Sequence, residues 1–266
     1  MKDIAILYFS GTGNTSYIAH HLQQRLENSQ TICSSITKDV DYKSIINSND
    51  FIFFCYPVYG STAPTIMEDF VYKYKELLVG KDVGVIITEG GFSGDGAYYL
   101  ARILRKLGAN VVCAEHFVMP DSIRDNKTKP ITKYDIAKYL NKANKRLDIF
   151  VDSFNNAKYI RRGHTVFSRM LGAFQRVPWK AYYPKLVAMH KVNLELCNGC
   201  GQCVKLCPTN NLTMENGRVV KGDKCTLCYR CVNNCPKKAI TIFGKNMQFP
   251  YKGIRGYQVK TQKKEV

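Results

Sequence analysis

The sequence predicts an α/β domain built on a parallel sheet, followed by a small cysteine-rich domain. In residues 1–150, five apolar runs alternate with helical stretches, and these runs lack the period-two alternation of half-exposed strands. Strands that are apolar throughout are buried on both faces, as in a parallel sheet with helices on either side. In the second half of the chain, eight of the 11 cysteines are confined to residues 197–235. We therefore expect two domains of different kinds.

The elements of the first domain follow one another in a regular order. We expect strands at residues 4–9, 31–36, 51–56, 83–88 and 111–118, and helices near residues 14–28, 63–78, 95–107 and 131–158. Residues typical of helix boundaries agree, since Asn14 precedes the first helix, Pro64 opens the second and Gly108 follows the third. After the cysteine runs, residues 211–214 and 239–242 have the composition of short strands.

The length of 266 residues and the uneven charge divide the chain further. Residues 1–150 hold 18 Lys and Arg against 16 Asp and Glu, whereas residues 151–266 hold 21 against 5. We expect an α/β domain at 1–155, a basic, aromatic-rich connector at 156–192, a cysteine-rich domain at 193–245 and a basic C-terminal tail at 246–266. Residues 252–266 of this tail should form a loosely held end. No apolar run approaches the roughly 18 residues of a transmembrane helix, and no secretory signal is evident, so the expected compartment is the cytoplasm.

The clustered cysteines form two runs with the same spacing, C-x2-C-x2-C-x3-C-P. In a reducing compartment, such a cluster indicates metal ligands rather than disulfides. Zinc sites favour two C-x2-C pairs separated by a longer loop, so the doubled run with both prolines favours iron–sulfur clusters. The runs begin 28 residues apart and form an internal repeat, which predicts a pseudo-twofold fold. Because some 50 residues bury little core, we expect the bound metal to supply folding energy.

Residues from about 193 to 243 resemble the bacterial two-cluster ferredoxins, whose cysteine spacing they share. In that family the last cysteine of each run ligates the cluster of the other run. The resemblance therefore implies two [4Fe-4S] clusters in a small α+β domain. The implied ligands of one cluster are Cys197, Cys200, Cys203 and Cys235, and those of the other are Cys225, Cys228, Cys231 and Cys207.

A glycine-rich loop follows the first predicted strand and opens the first helix. It consists of Ser10, Gly11, Thr12, Gly13, Asn14 and Thr15. Hydroxyl, amide and backbone N–H groups at a helix N-terminus can bind a dianionic phosphate without a cation. The loop lacks the lysine of a nucleotide triphosphatase, and Ser16 replaces the third glycine of a dinucleotide fingerprint. Taken alone, the loop could also be a simple turn.

Two further loops follow the third and fourth strands, at the sheet edge where ligands of open α/β sheets bind. Their residues are Pro57, Val58, Tyr59 and Gly60, and Thr88, Glu89, Gly90, Gly91 and Phe92. Aromatic rings beside backbone polar groups suit a flat heterocycle. Glu89 could tune a proton of that heterocycle or be a solvated carboxylate.

The run F-S-G-T-G-N-T and the two following loops resemble the flavodoxin family over about residues 1–150. The resemblance implies a five-stranded parallel sheet of order 2-1-3-4-5 and an FMN cofactor, with its phosphate at residues 10–15 and its ring between the two later loops. The chain departs from many flavodoxins in that its single tryptophan, Trp179, lies outside this domain. We expect Tyr59 on one face of the ring, and Phe92 or Tyr98 on the other.

Other residues that could carry chemistry are expected to be structural. Cys33, Cys55 and Cys113 fall in predicted strands and should pack in the core. The five histidines show neither metal-ligand spacing nor a catalytic pattern. The connector carries eight Lys and Arg and no acid within residues 158–191. Its aromatic residues are too dense for a flexible linker, so part of it should form an amphipathic helix against one or both domains. Its basic surface could dock an acidic redox protein, be solvated or contact anionic lipid; no nucleic-acid motif is present.

The whole chain resembles flavodoxin–ferredoxin fusion proteins of anaerobic bacteria. This resemblance implies an electron carrier that passes electrons between two [4Fe-4S] clusters and FMN, and to or from a redox partner. The alternative is a flavin-dependent reductase that acts on a small acceptor and is fed by its own clusters. A basic docking module with vestigial cofactors is disfavoured because every implied cysteine ligand is present. The sequence predicts neither the direction of electron flow nor the oligomeric state.

Overall fold

The computed structural model describes residues 2–26, 29–37, 39–123 and 129–254. Its main feature is a five-stranded parallel sheet of order β2-β1-β3-β4-β5. The strands are β1 (Asp3–Tyr8), β2 (Gln30–Ser35), β3 (Phe51–Pro57), β4 (Asp82–Glu89) and β5 (Asn110–Val118). This order and the five strands confirm the predicted fold class of the first domain.

Five helices cover the two faces of the sheet. They are α1 (Asn14–Arg25), α2 (Tyr42–Ser48), α3 (Thr65–Lys73), α4 (Gly96–Lys106) and α5 (Lys133–Asn155). Alternate strand residues enter two separate cores: Leu7 and Phe54 pack on the side of α3 and α4, and Ile6 and Phe53 on the side of α1 and α5. The absence of period-two alternation in the sequence follows from this burial on both faces.

The predicted helices need two corrections. Helix α2 was not expected, because it has seven residues and buries only Tyr42 and Ile46, too few for a clear helical period. Its N-cap is Asp41, whose carboxylate accepts a hydrogen bond from the Ser44 N–H. The helix expected at residues 63–78 is divided into α3 and a 3₁₀ helix, Lys75–Leu78.

The connector begins by extending the edge of the sheet. The Ala114 N–H donates to the Ile160 carbonyl over 2.8 Å, and the Arg162 N–H donates to the Ala114 carbonyl over 2.9 Å. Glu115 is 1% exposed, and its carboxylate lies 3.0 Å from the guanidinium groups of both Arg146 and Arg162. Backbone pairing and a buried carboxylate thus fix the start of the connector beside β5.

The rest of the connector is a single long helix, α6 (Val166–Ala188), capped by the Thr165 side chain. It approaches the first domain closely at Gly172, where a Cβ atom would lie 1.6 Å from Asp95 Oδ1. One turn later, Arg176 makes a bidentate ion pair with Asp95, with both N–O distances at 3.0 Å. None of the described helices, α6 included, combines the length and apolar content of a membrane span.

The cysteine-rich domain contains two short helices and three small strand pairings. Its elements are β6 (Lys191–Val192), α7 (Gln202–Leu206), β7 (Leu212–Glu215), β8 (Arg218–Lys221), α8 (Arg230–Asn234), β9 (Ile240–Ile242) and β10 (Lys245–Asn246). Strand β9 pairs with β6 and β10, and β7 pairs with β8, all antiparallel. Helices α7 and α8 occupy equivalent places in the 28-residue repeat.

The described part of the tail is docked rather than loose. Met247, Tyr251 and Ile254 are 2%, 1% and 6% exposed, and Tyr251 and Ile254 join the core beneath α1 and α5. The expectation of a loosely held end from Lys252 onward is therefore wrong for residues 252–254, because Ile254 is buried in this core. Residues 255–266 lie outside the described residues.

We predict that Arg176→Ala lowers the free energy of unfolding by about 3–5 kcal/mol, because Asp95 is buried and would lose its charged partner. The matched control is Arg169→Ala, whose exposed guanidinium lies 5.0 Å from the Tyr98 ring and should contribute less than about 1 kcal/mol. Urea unfolding followed by circular dichroism measures both values. Equal losses for the two variants would contradict the assigned role of the Asp95 ion pair.

Candidate functional site

The loop between β1 and α1 offers backbone donors at a helix N-terminus. Gly13, with a φ of +102°, is the N-cap of α1, and no side chain caps the helix. The Ser10 hydroxyl accepts a hydrogen bond from the Gly13 N–H over 3.1 Å and holds the loop closed. The first-turn N–H groups of α1 thus lack a side-chain cap, which suits an anion such as a phosphate.

The side chains of Asn14 and Thr15 connect this loop to its neighbours. The Asn14 amide donates to the Pro120 carbonyl over 2.7 Å and accepts from the Tyr251 hydroxyl over 2.6 Å. The hydroxyls of Thr15 and Thr88 lie 2.8 Å apart. Both side chains are buried, so they brace the loop, and its backbone together with Thr12 lines the open cleft.

A cleft joins the three loops that the sequence singled out. Its predicted members are Ser10, Gly11, Thr12, Asn14, Thr15, Pro57, Val58, Tyr59, Thr88, Glu89 and Gly90. Residues 119–123, after β5, form a fourth wall that was not predicted. Gly13, Gly60, Gly91 and Phe92 do not line the cleft. Phe92 is 61% exposed beside α6, where its carbonyl accepts a hydrogen bond from Gln175.

Trp179 of the connector packs against residues 57–60, which we call the ring loop. The rings of Trp179 and Tyr59 are 6.5 Å apart, and a Cβ atom on Gly60 would lie 2.1 Å from Trp179 Cγ. Burial raises the pKa of the Tyr59 phenol well above its ordinary value. Tyr98 instead packs against His164, with ring centroids 4.9 Å apart. The tryptophan missing from the first domain therefore reaches its ring loop from the connector.

Glu89 is a buried carboxylate, 8% exposed, and the expectation of a solvated one is wrong. The Ser93 hydroxyl donates a hydrogen bond to Glu89 Oε2, and His116 Nδ1 lies 3.6 Å from the same oxygen. The turn of residues 90–93 folds back over the carboxylate and removes it from water. The sequence gives no signal for this pairing, because Glu89 and His116 lie on neighbouring strands.

The eight clustered cysteines surround two separate cavities. We call Cys207, Cys225, Cys228 and Cys231, which line one cavity, the inner cysteine set. We call Cys197, Cys200, Cys203 and Cys235, which line the other, the outer cysteine set. Each set combines three cysteines of one run with the last cysteine of the other. Within the described residues, no three His, Cys, Asp or Glu side chains converge on a single-ion site; each set surrounds a cavity instead.

The two sets differ in exposure. Cys228 and Cys231 are 8% and 9% exposed, whereas Cys200 is open to solvent. Burial raises the pKa of the Cys228 thiol to about 11. A cluster bound by the inner set would therefore be the more shielded from water, and one bound by the outer set would lie nearer the surface.

Hydrogen bonds to sulfur repeat the internal symmetry. The Asn211 N–H donates to Cys207 Sγ over 3.2 Å, and the Ala239 N–H, 28 residues later, donates to Cys235 Sγ over 3.3 Å. The inner set has an additional polar neighbour, since His190 Nε2 lies 3.3 Å from Cys231 Sγ. Burial lowers the pKa of His190 to about 4. No sequence spacing indicated this histidine.

The inner cysteine set directly contacts residues 10–15 between β1 and α1, which we call the phosphate loop. A Cβ atom on Gly11 would lie 2.2 Å from the Cys228 carbonyl oxygen, so only glycine allows this approach. Arg230 donates to the carbonyls of Ser10 over 2.7 Å, Gly11 over 3.2 Å and Leu206 over 3.2 Å. One side chain thus joins α8, α7 and the loop before α1.

Comparisons with known proteins agree with this division. A family model described as a flavodoxin domain matches residues 5–121, and one described as a 4Fe-4S dicluster domain matches residues 196–239. The chain joins a flavodoxin domain to a 4Fe-4S dicluster domain. The two matches correspond to a flavodoxin–ferredoxin fusion and support an iron–sulfur flavin electron-transfer protein. No curated protein sequence matches the chain.

Solved structures similar to the flavodoxin domain are themselves flavodoxins. An FMN-bound flavodoxin from Fusobacterium nucleatum is 21% identical, with a TM-score of 0.43, covering 60% of this chain and 99% of its own. Two-electron reduced flavodoxin from Megasphaera elsdenii is 24% identical, with a TM-score of 0.40, covering 54% and 98%. Oxidised flavodoxin 2 from Bacillus cereus is 21% identical, with a TM-score of 0.39, covering 56% and 99%.

Both parts of the site fit the groups that the domains imply. In the flavodoxin domain, the N-terminus of α1 without a side-chain cap suits the FMN phosphate, and the cleft between residues 57–59 and 88–90 suits a flat ring. In the dicluster domain, four thiols around each cavity are the donor set of a [4Fe-4S] cluster.

We predict that Arg230→Ala weakens FMN binding to the flavodoxin domain at least about tenfold, because the carbonyls of residues 10 and 11 lose the donor that fixes the phosphate loop. Fluorescence titration of FMN into flavin-stripped protein measures the dissociation constant. Arg218→Ala, an exposed change on β8, serves as the matched control. Unchanged FMN affinity in Arg230→Ala would show that this residue does not shape the loop.

We also predict that Gly11→Ala loosens the contact between the two domains, because its methyl group would overlap the Cys228 carbonyl. Amide hydrogen exchange should increase in residues 10–15 and 225–231 and stay constant in residues 197–203. The control is Gly222→Ala, where the added Cβ would meet Asn211 at an ordinary 3.5 Å. Identical exchange in the two variants would argue against the contact.

Proposed function

We propose that this chain transfers electrons between a redox partner, two [4Fe-4S] clusters and FMN. The proposal rests on the direct contact between the inner cysteine set and the phosphate loop, which Gly11 and Arg230 make. It supports an order in which the outer cysteine set communicates with the partner and the inner set with the flavodoxin cleft. The fusion resemblance further suggests a cytoplasmic setting in anaerobic metabolism.

Different residues of the chain would serve the clusters and FMN in this electron transfer. When bound, the clusters supply one-electron chemistry and FMN supplies both one- and two-electron chemistry. The inner and outer cysteine sets would hold the clusters, and the phosphate loop with residues 57–59 and 88–90 would hold FMN. Tyr59 lines the cleft and packs against Trp179 of α6. Arg230 holds the cysteine loop and the phosphate loop together.

Electrostatics supports an acidic redox protein as the partner. Lys237 lines the outer cavity together with the solvent-open Cys200, and Lys205 and Lys238 are also exposed in the dicluster domain. Opposite charges on the two proteins would speed their encounter, and salt would screen this attraction. Electron transfer to an acidic partner such as a low-potential ferredoxin should therefore slow as ionic strength rises. A rate that is independent of salt would contradict this docking mode.

Composition and redox titration of the anaerobically purified holoprotein test the proposal. We expect about eight iron and eight sulfide per chain, with one FMN released by acid. Stepwise reduction followed by absorbance and electron paramagnetic resonance should show both clusters and the flavin. Clusters without flavin would overturn the relay. Steady turnover of a small acceptor without a protein partner would instead favour the flavin-dependent reductase.

We predict that His190→Leu lowers the reduction potential of the cluster held by the inner set. An Nε2–H of His190 that donates to Cys231 Sγ would stabilise the more negative reduced state, and leucine removes this donor. Redox titration followed by electron paramagnetic resonance should show one cluster shifted and the other unchanged. The control is His164→Leu, a histidine beside Tyr98 on the flavodoxin domain. Equal potentials in both variants would show that His190 does not donate to the cluster.

A further inference from the structure

The outward face of α6 is apolar along much of its length. Val166, Phe167, Met170, Phe174 and Val177 are 69%, 70%, 66%, 81% and 70% exposed. Their spacing of three and four residues places them on one side of the helix, which we call the apolar ridge. The helix is amphipathic, as expected, but its polar side packs on the flavodoxin domain through the contact with Asp95. Its large apolar side chains face solvent instead.

Five large apolar side chains in one exposed row are unusual for a soluble monomer. The polar contacts of the helix lie on the opposite side, where Arg176 pairs with the buried Asp95 and Gly172 packs against the same carboxylate. These contacts hold the helix in this rotation, so the ridge cannot turn inward without breaking a buried ion pair. The ridge is consequently a fixed feature of the surface.

Cations border the apolar ridge on both sides. Lys185 lies on one edge; on the other, Arg169 and Lys180 are 5.0 Å and 5.1 Å from the ring centroids of Tyr98 and Tyr99 on the flavodoxin domain. All three cationic residues are nevertheless exposed. Between Asp152 and Glu195 the sequence contains no acidic residue. An apolar stripe with Phe, flanked by Lys and Arg, is the pattern of a helix that lies in the interface of a membrane with anionic lipids.

We propose that the apolar ridge docks this protein on the surface of an anionic lipid bilayer, with α6 parallel to the membrane plane. Phe167, Met170 and Phe174 would enter the headgroup and acyl boundary, while the exposed cations along the two edges of the ridge attract lipid phosphates. The helix lies on the membrane and does not cross it.

Two other occupants fit the ridge less well. In a symmetric dimer, antiparallel copies of α6 centred near Phe174 would bring Arg169 of one copy close to Lys180 of the other, and these like charges repel. A protein partner normally makes about one hydrogen bond per 100–200 Å² of interface, whereas the ridge has no polar side chain between its apolar members. The acyl layer of a membrane requires no such hydrogen bonds.

Docking through α6 would orient both domains. Near its C-terminal end, the Tyr183 hydroxyl donates to the Cys225 carbonyl over 2.9 Å, and Lys221 Nζ donates to the Val187 carbonyl over 2.8 Å. Toward its N-terminal end, the helix contacts the loop that contains Asp95. A single membrane-bound helix would thus fix the flavodoxin and dicluster domains in one orientation relative to the bilayer.

Flotation of the holoprotein with lipid vesicles tests this inference. We expect binding to phosphatidylcholine vesicles that contain about 30% phosphatidylglycerol, and much weaker binding to pure phosphatidylcholine. Phe174→Glu should weaken binding to the anionic vesicles by roughly tenfold or more, and Lys180→Glu should weaken it in a salt-dependent way. Ile149→Glu on α5, which changes a residue that is 64% exposed outside the ridge, should leave binding unchanged. Circular dichroism and the visible spectrum check that each variant is folded and loaded.

The flotation experiment and its variants distinguish the possible results. Binding that is lost in Phe174→Glu and kept in Ile149→Glu supports the proposal. No flotation with either lipid, or equal loss in both variants, overturns it. A dimer in light scattering that Phe174→Glu dissociates, without lipid binding, would assign the ridge to a second copy of this chain and also overturn it. Since vesicle binding does not require electron transfer, its failure is distinct from failure of the proposed relay.

Discussion

Arg230 supplies the interaction on which the arrangement of the two domains depends. Its guanidinium lies beside the cysteine loop of α8 and donates to the carbonyls of residues 10 and 11, where Gly11 has no side chain to hold the Cys228 carbonyl away. The phosphate loop is therefore shaped on one side by its own helix and on the other by the dicluster domain. This contact makes the two domains one site and gives the chain an inner and an outer cysteine set.

The cysteine loops achieve this arrangement through an imperfect repeat. Gly199 and Gly201 have φ values of +70° and +68° in the first run, and their equivalents Leu227 and Tyr229 adopt +52° and +61° in the second. The non-glycine residues accept an unfavourable backbone conformation, and both are buried, at 1% and 2% exposed. The second loop thereby gains apolar side chains that shield the inner set, whereas the glycines of the first leave the outer set open.

Much of the fold could be predicted from the sequence, because strand burial, helix boundaries and cysteine spacing are local patterns. The contacts between segments that are far apart in the sequence could not be predicted in this way. Tyr251 reaches Asn14 across 237 positions, and Trp179 reaches Gly60 from a connector that was expected only to pack somewhere on the domains. The burial of Glu89 depends on His116 of the neighbouring strand, and the outward rotation of α6 depends on Asp95, so neither has a signature in its own segment.

We propose that electrons pass between the inner cysteine set and the flavodoxin cleft of the same chain. The most direct test is the rate of flavin reduction after rapid photochemical reduction of the anaerobic holoprotein, measured over a wide range of protein concentrations. The contact between Gly11 and Cys228 predicts a first-order rate that is independent of protein concentration. A rate that rises in proportion to protein concentration would show that electrons pass between molecules and would contradict transfer within one chain.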